Sequence, residues 1–165
     1  MQVLIISDTH AMNREDLLAV LHRHPVDYYI HCGDIFSPYR KLPLSNLYLV
    51  RGNNDFNKAK EKLTPFIDNH RFFITHGHLY NVYYNMHSLL QAAKEEKANI
   101  VCFGHTHVPF LQTIDNILVI NPGSAYYPRG DYFEPTYCIL DTSTLLVTYY
   151  HVADGRACGL RPVEQ

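Results

Sequence analysis

Seven side chains suited to binding a divalent cation share one trait: each follows an apolar run. "SDTH" places Asp8 and His10 after the first run, and "CGD" places Asp34 after the second. "RGNND" places Asn53 after the third, with Asn54 and Asp55 behind it. "THGH" contributes His76, with His78 behind it, and "GHTH" contributes His105 and His107. In an extended chain, residues two apart project to the same side. Asp8 with His10 and His105 with His107 have that spacing, whereas in a helix each pair would diverge by roughly 200°. A set of Asp, His and Asn without thiolate suits manganese, iron, zinc, nickel or cobalt. One ion takes about four to six donors. Seven candidates therefore suit two ions sharing a bridging carboxylate.

Such donors meet only if strands and turns bring the run ends together. "QVLIIS", "VDYYIHCGD" and "NLYLVRGNND" have the short apolar character of buried strands. Apolar spacing of three and four predicts a helix over 13–23, between the first two strands. This alternation predicts an α/β start with parallel pairing. "HRFFITHGH", "NIVCFGHTH" and "ILVINPGS" continue the strands, and 84–97 gives the clearest helical stripe. "TYCILDTSTLLVTYYHV" predicts a hairpin around "DTST". The sum is two stacked sheets with helices outside. Ligand sites in α/β folds gather at the carboxyl ends of strands, where all seven candidates lie. Gly33, Gly52, Gly77 and Gly104 sit beside them, and glycine permits positive φ and close approach of other groups.

Composition narrows the function. The 165 residues fit one domain, 1–165, with a loose tail from about 153. The formal net charge is −2, so there is no basic excess to hold extended nucleic acid. No apolar segment approaches the ~20 residues of a membrane helix. The N-terminus lacks a basic region and reaches Asp8 too soon for a signal peptide. Cys32, Cys102, Cys138 and Cys158 form no CxxC motif and are expected to be buried free thiols in a cytoplasmic protein. Of the other histidines, His31 is expected to be structural, and His22, His24, His70, His87 and His151 receive no role.

The ordered set DxH, GD, GNxD, HGH and GHxH resembles the calcineurin-like metallophosphoesterases, in particular their small bacterial and archaeal phosphodiesterase branch. The resemblance runs from Asp8 to "INPGSAYYPRG" at 120–130. It implies a four-layer αββα sandwich of two mixed sheets flanked by helices. It also implies two divalent metal ions, manganese first, with nickel, iron, zinc, cobalt or magnesium as alternates. By motif, Asp8, His10, Asp34 and His107 would hold one metal. Asp34, Asn53, His76 and His105 would hold the other, with Asp34 bridging and Asp55 behind. The activity implied is hydrolysis of a small phosphodiester by a metal-bridging hydroxide.

One position departs from the pattern. Many members of the family carry histidine after the motif's Asn, where it binds phosphate and protonates the leaving group. Here that residue is Asn54. Asn54 and Arg129 are candidate substrate contacts, and Asp34, Asn53 and His78 candidate catalytic groups. The successive N–H groups of "NPGS" at 121–124 are a candidate anion-binding nest. A different class of function is a protein-binding scaffold on the same fold, similar to the retromer scaffold subunit, with little or no catalysis. The aromatic late segment is a candidate contact between copies of the chain.

Overall fold

A computed structural model describes residues 1–36 and 42–160. The described part of the chain runs β1 (Gln2–Ile6), α1 (Arg14–Leu21), β2 (Tyr28–His31), β3 (Leu47–Leu49), β4 (Lys62–Leu63), β5 (Phe66–Ile67) and β6 (His70–Thr75). It continues through α2 (His87–Glu95), β7 (Ile100–Cys102), β8 (Pro109–Ile114), β9 (Ile117–Pro122), β10 (Thr136–Asp141) and β11 (Leu146–His151). One sheet has the order β11-β10-β1-β2-β3, and the other β4-β6-β7-β9-β8 with β5 paired to β6. β1, β2 and β3 pair in parallel, as do β6, β7 and β9. β10 and β11 in the first sheet, and β4, β5 and β8 in the second, pair antiparallel, so both sheets are mixed.

The period-two alternation of the strands builds the layers. In β1, Val3 and Ile5 face the other sheet, joining Ile30, Phe72, Ile74, Ile100 and Ile120 in the central core. Leu4 and Ile6 face outward onto Leu17, Val20 and Leu21 of α1. In the second sheet Phe73, Val101 and Val119 face outward onto Leu89, Leu90 and Ala93 of α2. The strands are apolar on both faces because both faces are covered. The result is the four-layer αββα sandwich expected.

Both helices are shorter than their apolar patterns. Asn13 caps α1 by accepting the Asp16 N–H at 2.8 Å, which takes one N–H that lacks an intrahelical partner. α2 begins only at His87, whose N–H is taken by the Asn85 side chain at 2.9 Å, with turns before it. Three strands were not anticipated: β4, β5 and β8. Two hairpins account for β5 and β8. Asp68–Asn69 joins β5 to β6, and Asp115–Asn116 joins β8 to β9. All four turn residues have positive φ, as two-residue hairpin turns require.

The tail is not loose over its described length. Ala157 bridges Tyr150 of β11, the Cys158 N–H donates to the Tyr149 carbonyl at 2.9 Å, and Leu160 packs on the central core. Residues 161–165 of the expected tail lie outside the described residues. Cys32, Cys102 and Cys138 are buried free thiols as expected, but Cys158 is only half-buried. No helix among the described residues is long and apolar enough to cross a membrane.

Candidate metal centre

The parallel strands of both sheets end at one edge of the sandwich, and the loops after them carry the candidate donors. Short backbone bonds stitch these loops together. The Asp8 N–H donates to the Gly33 carbonyl, His10 N–H to Asp34, and Gly104 N–H to His76, each at 3.0 Å. Asp8, His10, Asp34, His105 and His107 all have positive φ, between 42° and 69°. That conformation costs a non-glycine residue roughly 1–2 kcal/mol. Its concentration on five candidate donors marks a site for which the surrounding fold sustains strain.

Two compact groups result: Asp8, His10 and His107, and Asp8, Asp34 and His76. His107 Nε2 lies 3.2 Å from both Asp8 Oδ1 and His10 Nε2. His76 Nε2 lies 3.5 Å from Asp34 Oδ2 and 3.0 Å from Asn53 Oδ1. Both carboxylates stand between the two halves. Asp8 Oδ1 is 3.8 Å from both His10 and His76, and Asp34 Oδ2 is 3.8 Å from His10 and 3.5 Å from His76. His105 lies outside both groups, its ring centroid 5.1 Å from that of His76.

Hydrogen bonds behind the site settle which nitrogens are ready to bind. His76 Nδ1 meets the Cys32 carbonyl and His107 Nδ1 the Tyr127 carbonyl, each at 2.7 Å. A carbonyl only accepts, so each Nδ1 carries its proton. In the neutral ring, Nε2 then presents a lone pair toward the carboxylates. Asp8 Oδ2 accepts from Ser7 Oγ and the His105 N–H, but Asp8 Oδ1 is buried without a partner. A buried orphan carboxylate oxygen facing imidazole lone pairs needs a cation. The donor set therefore fits divalent metal.

The protonation behaviour agrees. Burial pushes Asp8 up, but the neighbouring His107 and His76 imidazoles hold it below the usual carboxylate range. Asp34 is likewise held low against burial by His76 and Asn54. His76 is raised, because the Asp34 bond and the Asp8 charge outweigh its burial. Burial and the neighbouring His76 depress His105 to about 4, leaving its ring neutral.

Asn54, Asp55 and the "NPGS" turn brace the candidate donors from behind. Asn54 grips Asp34: its N–H donates to Oδ1 at 2.9 Å and its amide Nδ2 to Oδ2 at 2.8 Å. Asp55 accepts four backbone N–H groups, from Asp34, Ile35, Phe36 and Gly52, and so holds the Asp34 loop against the Asn53 loop. "NPGS" is a brace rather than an anion nest. Its Gly123 N–H goes to Asn121 Oδ1, Asn121 Nδ2 donates to the Gly104 carbonyl and Thr106 Oγ1, and Ser124 Oγ donates to the Asp8 carbonyl.

His31 is structural as expected. Its Nδ1 accepts the Gly33 N–H, and its Nε2 meets Thr9 Oγ1 at 3.1 Å. His78 packs beside His76 and His105, its Nδ1 buried without a partner and its pKa lowered by burial. Arg129 lies at the exposed rim, where Nη1 donates to Tyr83 Oη at 2.9 Å.

Comparison with known proteins completes the picture. The family model described as a calcineurin-like phosphoesterase superfamily domain matches residues 1–145. The chain belongs to that superfamily. Among its relatives is the probable metallophosphoesterase YsnB of Bacillus subtilis, 35% identical over 93% of this chain and 92% of that one. Another is the phosphodiesterase MJ0936 of Methanocaldococcus jannaschii, 34% identical over 86% and 93%. The crystal structure of a predicted phosphoesterase from Streptococcus pneumoniae superposes with a TM-score of 0.85 at 29% identity, covering 96% of this chain and 92% of the other. Vps29 of Entamoeba histolytica shares the fold, with a TM-score of 0.77 at 21% identity over 96% of each chain. Membership implies divalent metal and phosphoesterase chemistry, and the relatives' names support a phosphoesterase here.

Proposed function

We propose that the chain is a two-metal phosphodiesterase acting on small phosphate diesters. The carrying observation is the buried, unpartnered Asp8 Oδ1 among imidazoles whose Nδ1 protons are committed to carbonyls. Asp8, His10, Asp34 and His107 hold the first ion. Asp34, Asn53, His76 and His105 would hold the second, with Asp34, which lies within 3.8 Å of His10 and 3.5 Å of His76, shared between them. Manganese heads the candidate metals. Two divalent ions so held supply the Lewis-acid charge for hydrolysis at phosphorus. The chain's own residues position them: Asn54 fixes the Asp34 carboxylate, Asp55 fixes its loop, and the Asn121–Ser124 brace fixes Asp8 and the "GHTH" turn.

Two features support diesters over monoesters. Among the described residues, Arg129 is the candidate cation for substrate, and it stands at the rim with a hydrogen bond to Tyr83. A monoester dianion would need more positive charge than that. Among the described residues the leaving group has no strong proton donor, because Asn54 occupies the position of the family's histidine and burial lowers the pKa of His78. Esters with acidic leaving groups should therefore react faster than alkyl esters. The test compares p-nitrophenyl diesters, alkyl diesters and alkyl monoesters in metal-loaded protein, with Asp34→Asn as control. Preference for the activated diester, and a loss of roughly a hundredfold or more with reduced metal content in Asp34→Asn, supports the reading. A steep preference for alkyl monoesters contradicts it. Bound metal without turnover of any ester favours the scaffold reading that the Vps29 likeness keeps in view.

A further inference from the structure

Three large aromatic rings stand half-exposed around the mouth of the metal centre, and the hydrolysis derived above uses none of them. Phe36 and Tyr127 are 53% and 52% exposed. Both pack edge-on against the same imidazole, His10, with ring centroids 4.9 and 5.4 Å from it. Tyr126 backs Tyr127 at 4.5 Å. On the other side Tyr83 stands against the His105 ring at 5.0 Å. That ring is pinned: its hydroxyl donates to the His105 carbonyl at 3.0 Å and accepts from Arg129 at 2.9 Å. Tyr127 serves His107 through its backbone carbonyl, so its side chain is not needed to orient that ligand.

Rings left in water forgo the gain of burial. These rings edge the place where phosphorus must sit, next to His10 on one side and His105 on the other. The organic arms of a bound diester leave that place over the rim and meet these faces first. Aromatic faces hold planar groups by offset or edge contact and tolerate different ring identities. The Tyr83–Arg129 post adds one positive charge beside the phosphate. We propose that the preferred diester carries a planar aromatic group on the arm that stays with phosphorus, and that this ring packs against Phe36 and Tyr127 beside His10. The inference rests on the phosphodiesterase reading and names its substrate class. A nucleobase and a simple aryl group share the required chemistry.

Three p-nitrophenyl diesters test it, with methyl, phenyl or thymidine 5′ as the retained arm, so that the leaving group never changes. The kcat/KM of each is divided by its uncatalysed hydrolysis rate. The phenyl and thymidine esters should exceed the methyl ester by at least about tenfold, mainly through KM. The combined Phe36→Ala and Tyr127→Ala variant should shrink that ratio to within about threefold, while Tyr127→Phe, which keeps the ring, should retain it. A thymidine ester well above the phenyl ester assigns the wall to nucleobases, and equal values assign it to aryl groups in general. A ratio near one in the parent chain, or one unchanged in the double variant, overturns the inference while leaving the phosphodiesterase reading intact. No turnover of any of the three overturns both.

Discussion

Asn54 is the residue whose identity most limits the chemistry, and its place in the structure explains what it does instead of acid catalysis. Its amide and N–H hold both oxygens of Asp34 at 2.8 and 2.9 Å. Partners of this kind behind a ligand typically change metal affinity or activity 10–100-fold when removed. Asn54→Ala should weaken divalent binding by roughly that factor while leaving Tm within a few degrees. Isothermal titration with Mn²⁺ reads the first and calorimetry the second. A fall in Tm with unchanged affinity would make Asn54 merely structural. His31 gives a second residue-scale prediction. Burial lowers its pKa to about 4, below the ordinary value of about 6.5. The unfolded chain binds this proton more readily, so stability is intact above about pH 6.5 and is lost as pH falls toward 4, by about 3 kcal/mol. In NMR spectra the His31 ring should stay in its neutral form from pH 7.5 down to about 5. A midpoint near 6.5 would contradict its burial.

At the scale of elements, the site depends on strands that stop in step and on loops tied to one another. Asp55 ties two of them through four N–H groups. Hydrogen bonds to a charged group contribute about 1.5–3 kcal/mol each, part of which water recovers on substitution. Asp55→Ala should cost about 3 kcal/mol, or roughly 6–12 °C in Tm for a chain of this size, and should lower metal affinity with it. A Tm shift under two degrees would show that the loops hold without it. Glycine matters at two of the strand ends. A Cβ at Gly52 would collide with Asp34, and one at Gly104 with Ser7 and Asp8, so these loops approach too closely for any side chain.

Much of this was legible in the sequence, because donor residues recurred after five apolar runs. The run ends placed Asp8, Asp34 and His76 correctly at one edge. What was not legible depended on long-range geometry. The hydrogen bonds of Asn54 and Asp55 reach back about twenty residues, and a local pattern cannot show them. "NPGS" has the local form of a nest, but Asn121 and Ser124 reach across to Gly104 and Asp8. The hairpins at Asp68–Asn69 and Asp115–Asn116 did carry a local signal. Each is an Asp-Asn pair directly after an isoleucine, a turn chemistry that tolerates positive φ. The tail misled because its pairing partner is β11, and no periodicity of its own records that contact.

For the whole molecule, a net charge of −2 leaves no basic excess to hold extended nucleic acid. The sandwich brings carboxylates and imidazoles together in a buried cluster whose donor set fits divalent metal, and the proposal is that it takes two ions. The most direct test of that claim is to titrate metal-free protein with Mn²⁺ while following hydrolysis of a p-nitrophenyl diester. The account predicts that turnover is absent at zero metal and reaches its plateau only near two equivalents per chain. A plateau at one equivalent, or turnover that persists after the metal is stripped, would contradict it.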